Sequence, residues 1–143
     1  MNELTDAMSS GAASSEAVQE ILDWFATYDA RVKAGDLEGM ADLAAFPLNE
    51  VTDDAAGLAV VGPCDRGRYI AQMEQVVGGS EEVEMSSTRH PIFLAPGLCF
   101  VVTDASFISD GTETTMRYGD LLVRTSDGWK FQTMVAGGWH EHM

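Results

Sequence analysis

The sequence predicts one α+β domain, with three helices in its first half and a curved antiparallel sheet built from its second half. Apolar residues recur every three to four positions in three segments before residue 78. After Glu81 the chain changes to long β-rich runs broken by the turn-forming pairs Pro96-Gly97, Asp110-Gly111 and Asp127-Gly128. With 143 residues, 45% of them hydrophobic, there is enough material for one packed core, and the size argues against a second domain.

Residues 1–13 are rich in Ser, Ala and Gly without an apolar period and read as a frayed tail, leaving residues 14–143 as the domain. In the first helix Val18, Ile21, Leu22, Phe25 and Val32 form the stripe, with Trp24 and Tyr28 on its edge. Ser14 or Ser15 can cap its start and Gly35 can end it. Asp36 suits the next cap, and Leu37, Met40, Leu43 and Ala44 give a short second stripe that Pro47 stops. Residues 48–61 read as a short strand at Val51, a loop over 53–57 and a second extended piece over 58–61. Gly62-Pro63 marks a turn ahead of a third helix, whose stripe is Tyr69, Ile70, Met73, Val76 and Val77 and whose stop is Gly78-Gly79. Four strands follow, over 83–94, 98–108, 112–124 and 129–135. Hairpin-length links make them an antiparallel meander, with the helices covering one face.

Charge narrows the partners. Eight Lys+Arg against 23 Asp+Glu give a formal charge of −15, a field that repels nucleic-acid phosphates and anionic lipid surfaces. The N-terminus lacks a basic and apolar leader pattern, and no run approaches the roughly 20 apolar residues of a membrane span, so a soluble, cytoplasmic protein is expected. Cys64 and Cys99 lack the spacing and His companions of a zinc site and read as buried thiols. His140-Glu141-His142 offers two imidazoles without a third ligand, so no metal is expected.

The run Ala34-Gly35-Asp36-Leu37-Glu38-Gly39-Met40, after a long helix and before an acidic loop, resembles the opening of nuclear transport factor 2-like proteins. Within that superfamily the chain is similar to ketosteroid isomerase and polyketide cyclase-like members. Tyr28 stands seven residues before Gly35, where the isomerase has its oxyanion-hole tyrosine. Asp54 stands three residues before Gly57, as the base does, and Asp120 falls where the isomerase has a protonated aspartic acid. Ala55 replaces the proline expected after the base, Asp53 is an adjacent acid, and extra residues separate Gly57 from Gly62.

The resemblance implies a cone of three helices and curved antiparallel sheet around one pocket, no cofactor, and a homodimer through the sheet's outer face. It implies proton abstraction or transfer on a small apolar carbonyl compound, of isomerase, cyclase or dehydratase type, with Asp54, Tyr28 and Asp120 as catalytic residues. The alternative is a non-catalytic module of the same fold that binds a ligand or another protein.

The residues themselves bear on these roles. Tyr28 lies on a buried stripe, so its hydroxyl needs a partner, catalytic or structural. Asp54 has apolar neighbours in Val51 and the 58–61 run, which favour a carboxylate poised as a base, while a loop aspartate can equally bind its own backbone. Either Asp53 or Asp54 can face the interior. Asp120 is unusual inside a strand; by period two it shares a face with Met116, Tyr118 and Leu122, and Arg117 points the other way. Trp24, Tyr118 and His90 are the candidate substrate-binding residues. His90 shares a strand face with Ile92 and Leu94, and dehydratases and epoxide hydrolases of the superfamily use His, Asp and Arg; a hydrogen-bonded core histidine is the other reading.

Overall fold

The computed structural model describes residues 13–77 and 84–139. Most of the tail and His140-Glu141-His142 lie outside the described residues. Helix α1 spans Ser15–Ala34. The Ser14 hydroxyl accepts the Ala17 N–H, and Gly35 ends the helix at φ 68°, the left-handed conformation that glycine takes without a Cβ clash. Helix α2 is a single short element, Leu37–Ala41, capped by Asp36 through the Gly39 N–H. Strands β1 (Ala44–Asp53) and β2 (Ala59–Cys64) precede helix α3 (Arg66–Val77), and strands β3 (Glu84–Ala95), β4 (Leu98–Ser109), β5 (Thr112–Thr125) and β6 (Gly128–Val135) complete the chain.

The six strands form one sheet in the order β2-β1-β6-β5-β4-β3. It is mixed, which corrects the antiparallel expectation: β1 and β6 run parallel, and every other pair is antiparallel. The same pairing corrects two boundaries. Ala44 to Pro47, read as the end of a helix, is strand, because Ala44 sits in register with Phe131 and the Leu43 carbonyl accepts the Phe131 N–H. Gly62 and Pro63, read as a turn, continue β2 opposite Glu50 and Asn49, and the helix starts after Asp65, whose carboxylate accepts the Arg68 N–H.

One face of the sheet packs on the helices. Ile21 and Phe25 of α1, Met40 of α2, and Tyr69 and Met73 of α3 meet Leu48, Cys64, Phe93, Val101, Leu122, Trp129 and Phe131 in a single core. Cys64 and Cys99 are buried free thiols. On the other face the Phe100 ring lies across Gly119, where an added Cβ would come within 2.6 Å of the ring, so this position next to Asp120 needs glycine. No helix among the described residues is long and apolar enough to cross a membrane.

Candidate functional site

Register determines which polar side chains meet. Asp120 of β5 is paired with Val101 on one side and Met134 on the other, and Met134 is paired in turn with Glu50 of β1. The next row toward the tip of the sheet is Arg89, Thr103 and Tyr118, directly opposite one another on β3, β4 and β5. Both rows carry buried polar residues on the helix-facing side: Glu50 is 2% exposed, Asp120 8%, and Thr103 is fully buried. Asp120 faces the helices and Arg117 is exposed on the opposite face, as alternation along β5 predicts.

Tyr28 comes from α1 and Tyr69 from α3. Their rings pack around Phe131, at 5.8 and 5.6 Å between centroids, and Trp24 stacks on Tyr28 at 5.8 Å. Burial, then Tyr69, then Asp120 push the Tyr28 phenol well above its ordinary range. Burial likewise carries Tyr69 up to about 12. Both phenols therefore keep their protons at neutral pH and are able to donate. The hydroxyls of Tyr28 and Tyr69 interact, yet among the described residues no group reaches the buried Tyr69 oxygen in full hydrogen-bond geometry.

Asp120 is the ionisable centre of this cluster. Loss of water pushes its carboxyl up to about 7, and the charge of Arg89, the smaller influence, pulls the other way. Arg89 is itself held on two sides. Its Nη1 and Nη2 donate to the two Asp29 oxygens at 3.0 and 3.1 Å, Nη2 also reaches the Tyr118 hydroxyl at 3.3 Å, and the guanidinium lies 4.3 Å from the Phe25 ring centroid. Burial opposes the Arg89 charge, and the bonds to Asp29 and Tyr118 more than restore it.

The structure brings Tyr28, Asp120 and Tyr118 together and leaves two sequence candidates elsewhere. Asp54 sits in the turn between β1 and β2, where its Oδ1 accepts the N–H groups of Ala56 and Leu58 at 2.9 and 3.0 Å. It lies four residues past Glu50, about 13 Å further along the strand and two strands across from Asp120. Asp53 accepts the Gly138 N–H at 2.8 Å. His90 is corrected: its side chain is on the outer face, half exposed and 3.1 Å from Asp104, because Arg89, Pro91 and Phe93 take the inner positions of β3. Trp24 is a wall of the cluster, with its Nε1 donating to the Trp129 carbonyl.

Sequence reasoning passed over Asp29, Tyr69, Thr103 and Glu50. Only Glu50 had a usable signal, since it alternates with Leu48 and Thr52 along β1. An open concavity of about 460 Å³ lies around Ser86, Asp104, Thr115 and Arg117, and Tyr28, Asp54 and Asp120 are not among the residues that line it.

No protein-family model matches the chain, and no curated protein matches its sequence. Solved structures do resemble it. An NTF2-like protein of unknown function from Pseudomonas putida superposes with a TM-score of 0.71 at 15% identity, covering 87% of each chain. A protein provisionally assigned as a scytalone dehydratase from Novosphingobium aromaticivorans gives 0.62 at 15% identity, over 82% of this chain and 80% of that one. A protein provisionally assigned as a calcium/calmodulin-dependent protein kinase II association domain from Thiobacillus denitrificans gives 0.59 at 17%, over 78% and 88%. At such identities the likeness speaks for architecture alone, and by architecture the chain has the nuclear transport factor 2-like, cystatin-like fold.

Proposed function

We propose that this chain is a cofactor-independent enzyme that moves a proton on a small, largely apolar carbonyl compound, with Asp120 as acid and base and Tyr28 as donor to the developing oxyanion. The observation that supports it is a carboxyl buried beside two protonated phenols and carried up to about 7, where it can both take and return a proton near neutral pH. The compound would occupy the space between the phenols and β5, bounded by Trp24 and Tyr118. Asp120 takes a proton from the carbon beside the carbonyl, and the C–H electron pair becomes the enolate double bond. The displaced carbonyl pair comes to rest on oxygen, where the Tyr28 hydroxyl donates to it. Return of the same proton to another carbon completes an isomerisation; its delivery to a departing hydroxyl completes a dehydration.

Asp120→Asn keeps the shape and removes the proton acceptor. With α-deuterium exchange on a panel of ketones followed by NMR, turnover is expected to fall by roughly 10²–10⁴. Exchange that survives the substitution would remove Asp120 from the reaction.

The outer sheet face favours a second reading, a non-catalytic binding or association module. Ile92 and Leu94 are 49% and 56% exposed there, beside Leu98 and Phe100, which suits a homodimer through the sheet. If wild-type protein binds ketones and exchanges none of them, this module is the better description.

A further inference from the structure

The Arg89 row holds two groups that the proposed proton transfer does not use. The Arg89 side chain is 6% exposed and Thr103 is fully buried, yet among the described residues neither Nε of Arg89 nor Oγ1 of Thr103 has a hydrogen-bond partner. They belong to directly opposed residues of β3 and β4, whose Cβ atoms lie about 5 Å apart. Two buried polar atoms without a partner cost stability, so a ligand oxygen that reaches both gains both interactions at once. The other edges of Arg89 are committed to Asp29, Tyr118 and Phe25, so the guanidinium cannot swing away to satisfy itself.

We infer that Arg89 Nε and Thr103 Oγ1 form a second oxygen-binding subsite, and that the ligand is a small uncharged compound with a carbonyl or hydroxyl oxygen on the far side of the carbon that faces Asp120. This rests on the proposed proton-transfer reading and adds a substrate class to it. Asp120 stands between the two subsites in the order of the sheet: Tyr28 and Tyr69 pack around Phe131 of β6 on one side of β5, and Arg89 and Thr103 lie on β3 and β4 on the other. The second oxygen is uncharged because Asp29 already neutralises Arg89 and the Asp120 carboxylate would repel an anion. Arg89 donates to it, and the Thr103 hydroxyl donates or accepts as the oxygen requires.

Three probes test this by NMR titration: cyclohexanone, 3-hydroxycyclohexanone and 3-oxocyclohexanecarboxylate. Wild-type protein is expected to bind the hydroxyketone about tenfold more tightly than cyclohexanone, the worth of one well-made buried hydrogen bond, and the carboxylate more weakly than either. Thr103→Val, which keeps the shape, should bring the hydroxyketone close to the affinity of cyclohexanone. Tyr28→Phe should weaken both ketones by a similar factor and keep their ratio. Equal affinity of the two ketones for wild-type protein overturns the subsite and leaves the proton-transfer reading standing. A preference that survives Thr103→Val overturns it as well. If no ketone binds wild-type protein, the proton-transfer reading falls and the subsite falls with it.

Discussion

Glu50 and Asp120 are buried carboxylic acids on one row of the same sheet face, separated by Met134 and about 10 Å. Their surroundings differ. Glu50 accepts the Gln72 amide at 3.1 Å and the Trp139 indole N–H at 3.0 Å, one on each oxygen. Among the described residues no donor is hydrogen-bonded to Asp120, and the charge of Arg89 is what favours its ionised form. A carboxyl given donors is fixed as a structural acceptor, and one given apolar walls and phenols is left free to change its charge. The neighbouring layer, more than residue type or depth, separates a brace from a carboxyl free to change its charge.

The largest way to break this contrast is to vary pH. The folded chain holds the Asp120 proton up to about 7, while an unfolded chain releases it near 3.8. Between those values the folded state binds more protons, so the stability linked to Asp120 is full below about pH 4 and falls as pH rises toward 7. The whole effect is at most about 4 kcal/mol. Because repulsion among the chain's many carboxylates also grows over that range, the useful quantity is the difference between wild type and Asp120→Asn. Urea unfolding from pH 4 to 8 should show the variant gaining on wild type as pH rises. A constant difference would mean that Asp120 titrates as an ordinary carboxyl.

A smaller effect tests the braced side. Trp139→Phe keeps an aromatic ring and removes the N–H that serves Glu50, leaving a buried acceptor short of one donor at a cost of about 1–3 kcal/mol. Tyr69→Phe is the matching change beside Asp120, and there the lost hydroxyl makes no well-formed hydrogen bond among the described residues, so stability should change by less than about 1 kcal/mol. Denaturant midpoints of the two variants compare them directly. Equal costs would erase the distinction between a satisfied cluster and an unsatisfied one.

Much of the scaffold was legible because its signals are local. The Ser14 cap, the α1 stripe, the Gly35 stop and the Asp-Gly turns each act within a few residues, and alternation along β5 was enough to send Asp120 inward and Arg117 outward. What stayed illegible depends on distant pairing. Residues 44–47 become strand only because Phe131 meets them, and the Trp139 brace on Glu50 joins positions 89 residues apart. On β3, apolar side chains occupy both faces, Pro91 and Phe93 on one and Ile92 and Leu94 on the other, so alternation alone could not decide between Arg89 and His90. Tyr69 looked like an ordinary member of a helix stripe, and only α3 docking beside Tyr28 gives its hydroxyl a chemical setting.

The smallest expected effect comes from a third carboxylate, Asp54, which serves as the half-buried counterpart of the buried two. Its Oδ1 accepts the Ala56 and Leu58 N–H groups of the β1–β2 turn, and the oxygen of an asparagine can accept both bonds in the same place. Asp54→Asn should therefore cost less than about 1 kcal/mol, since only the charge assistance to two exposed hydrogen bonds is lost. Its turnover on any ketone that Asp120 enolises should stay within about twofold of wild type, because some four strand positions separate it from the Asp120 row. Asp53→Asn, measured beside it, keeps an acceptor for the Gly138 N–H and should behave alike. A fall of a hundredfold or more in either variant, with the fold intact by circular dichroism, would move the base to the turn and leave Asp120 as a protonated donor. Unchanged turnover in both, against a collapse in Asp120→Asn, would show that the carboxyl without hydrogen-bond donors carries the proton and that the one bonded to its own backbone does not.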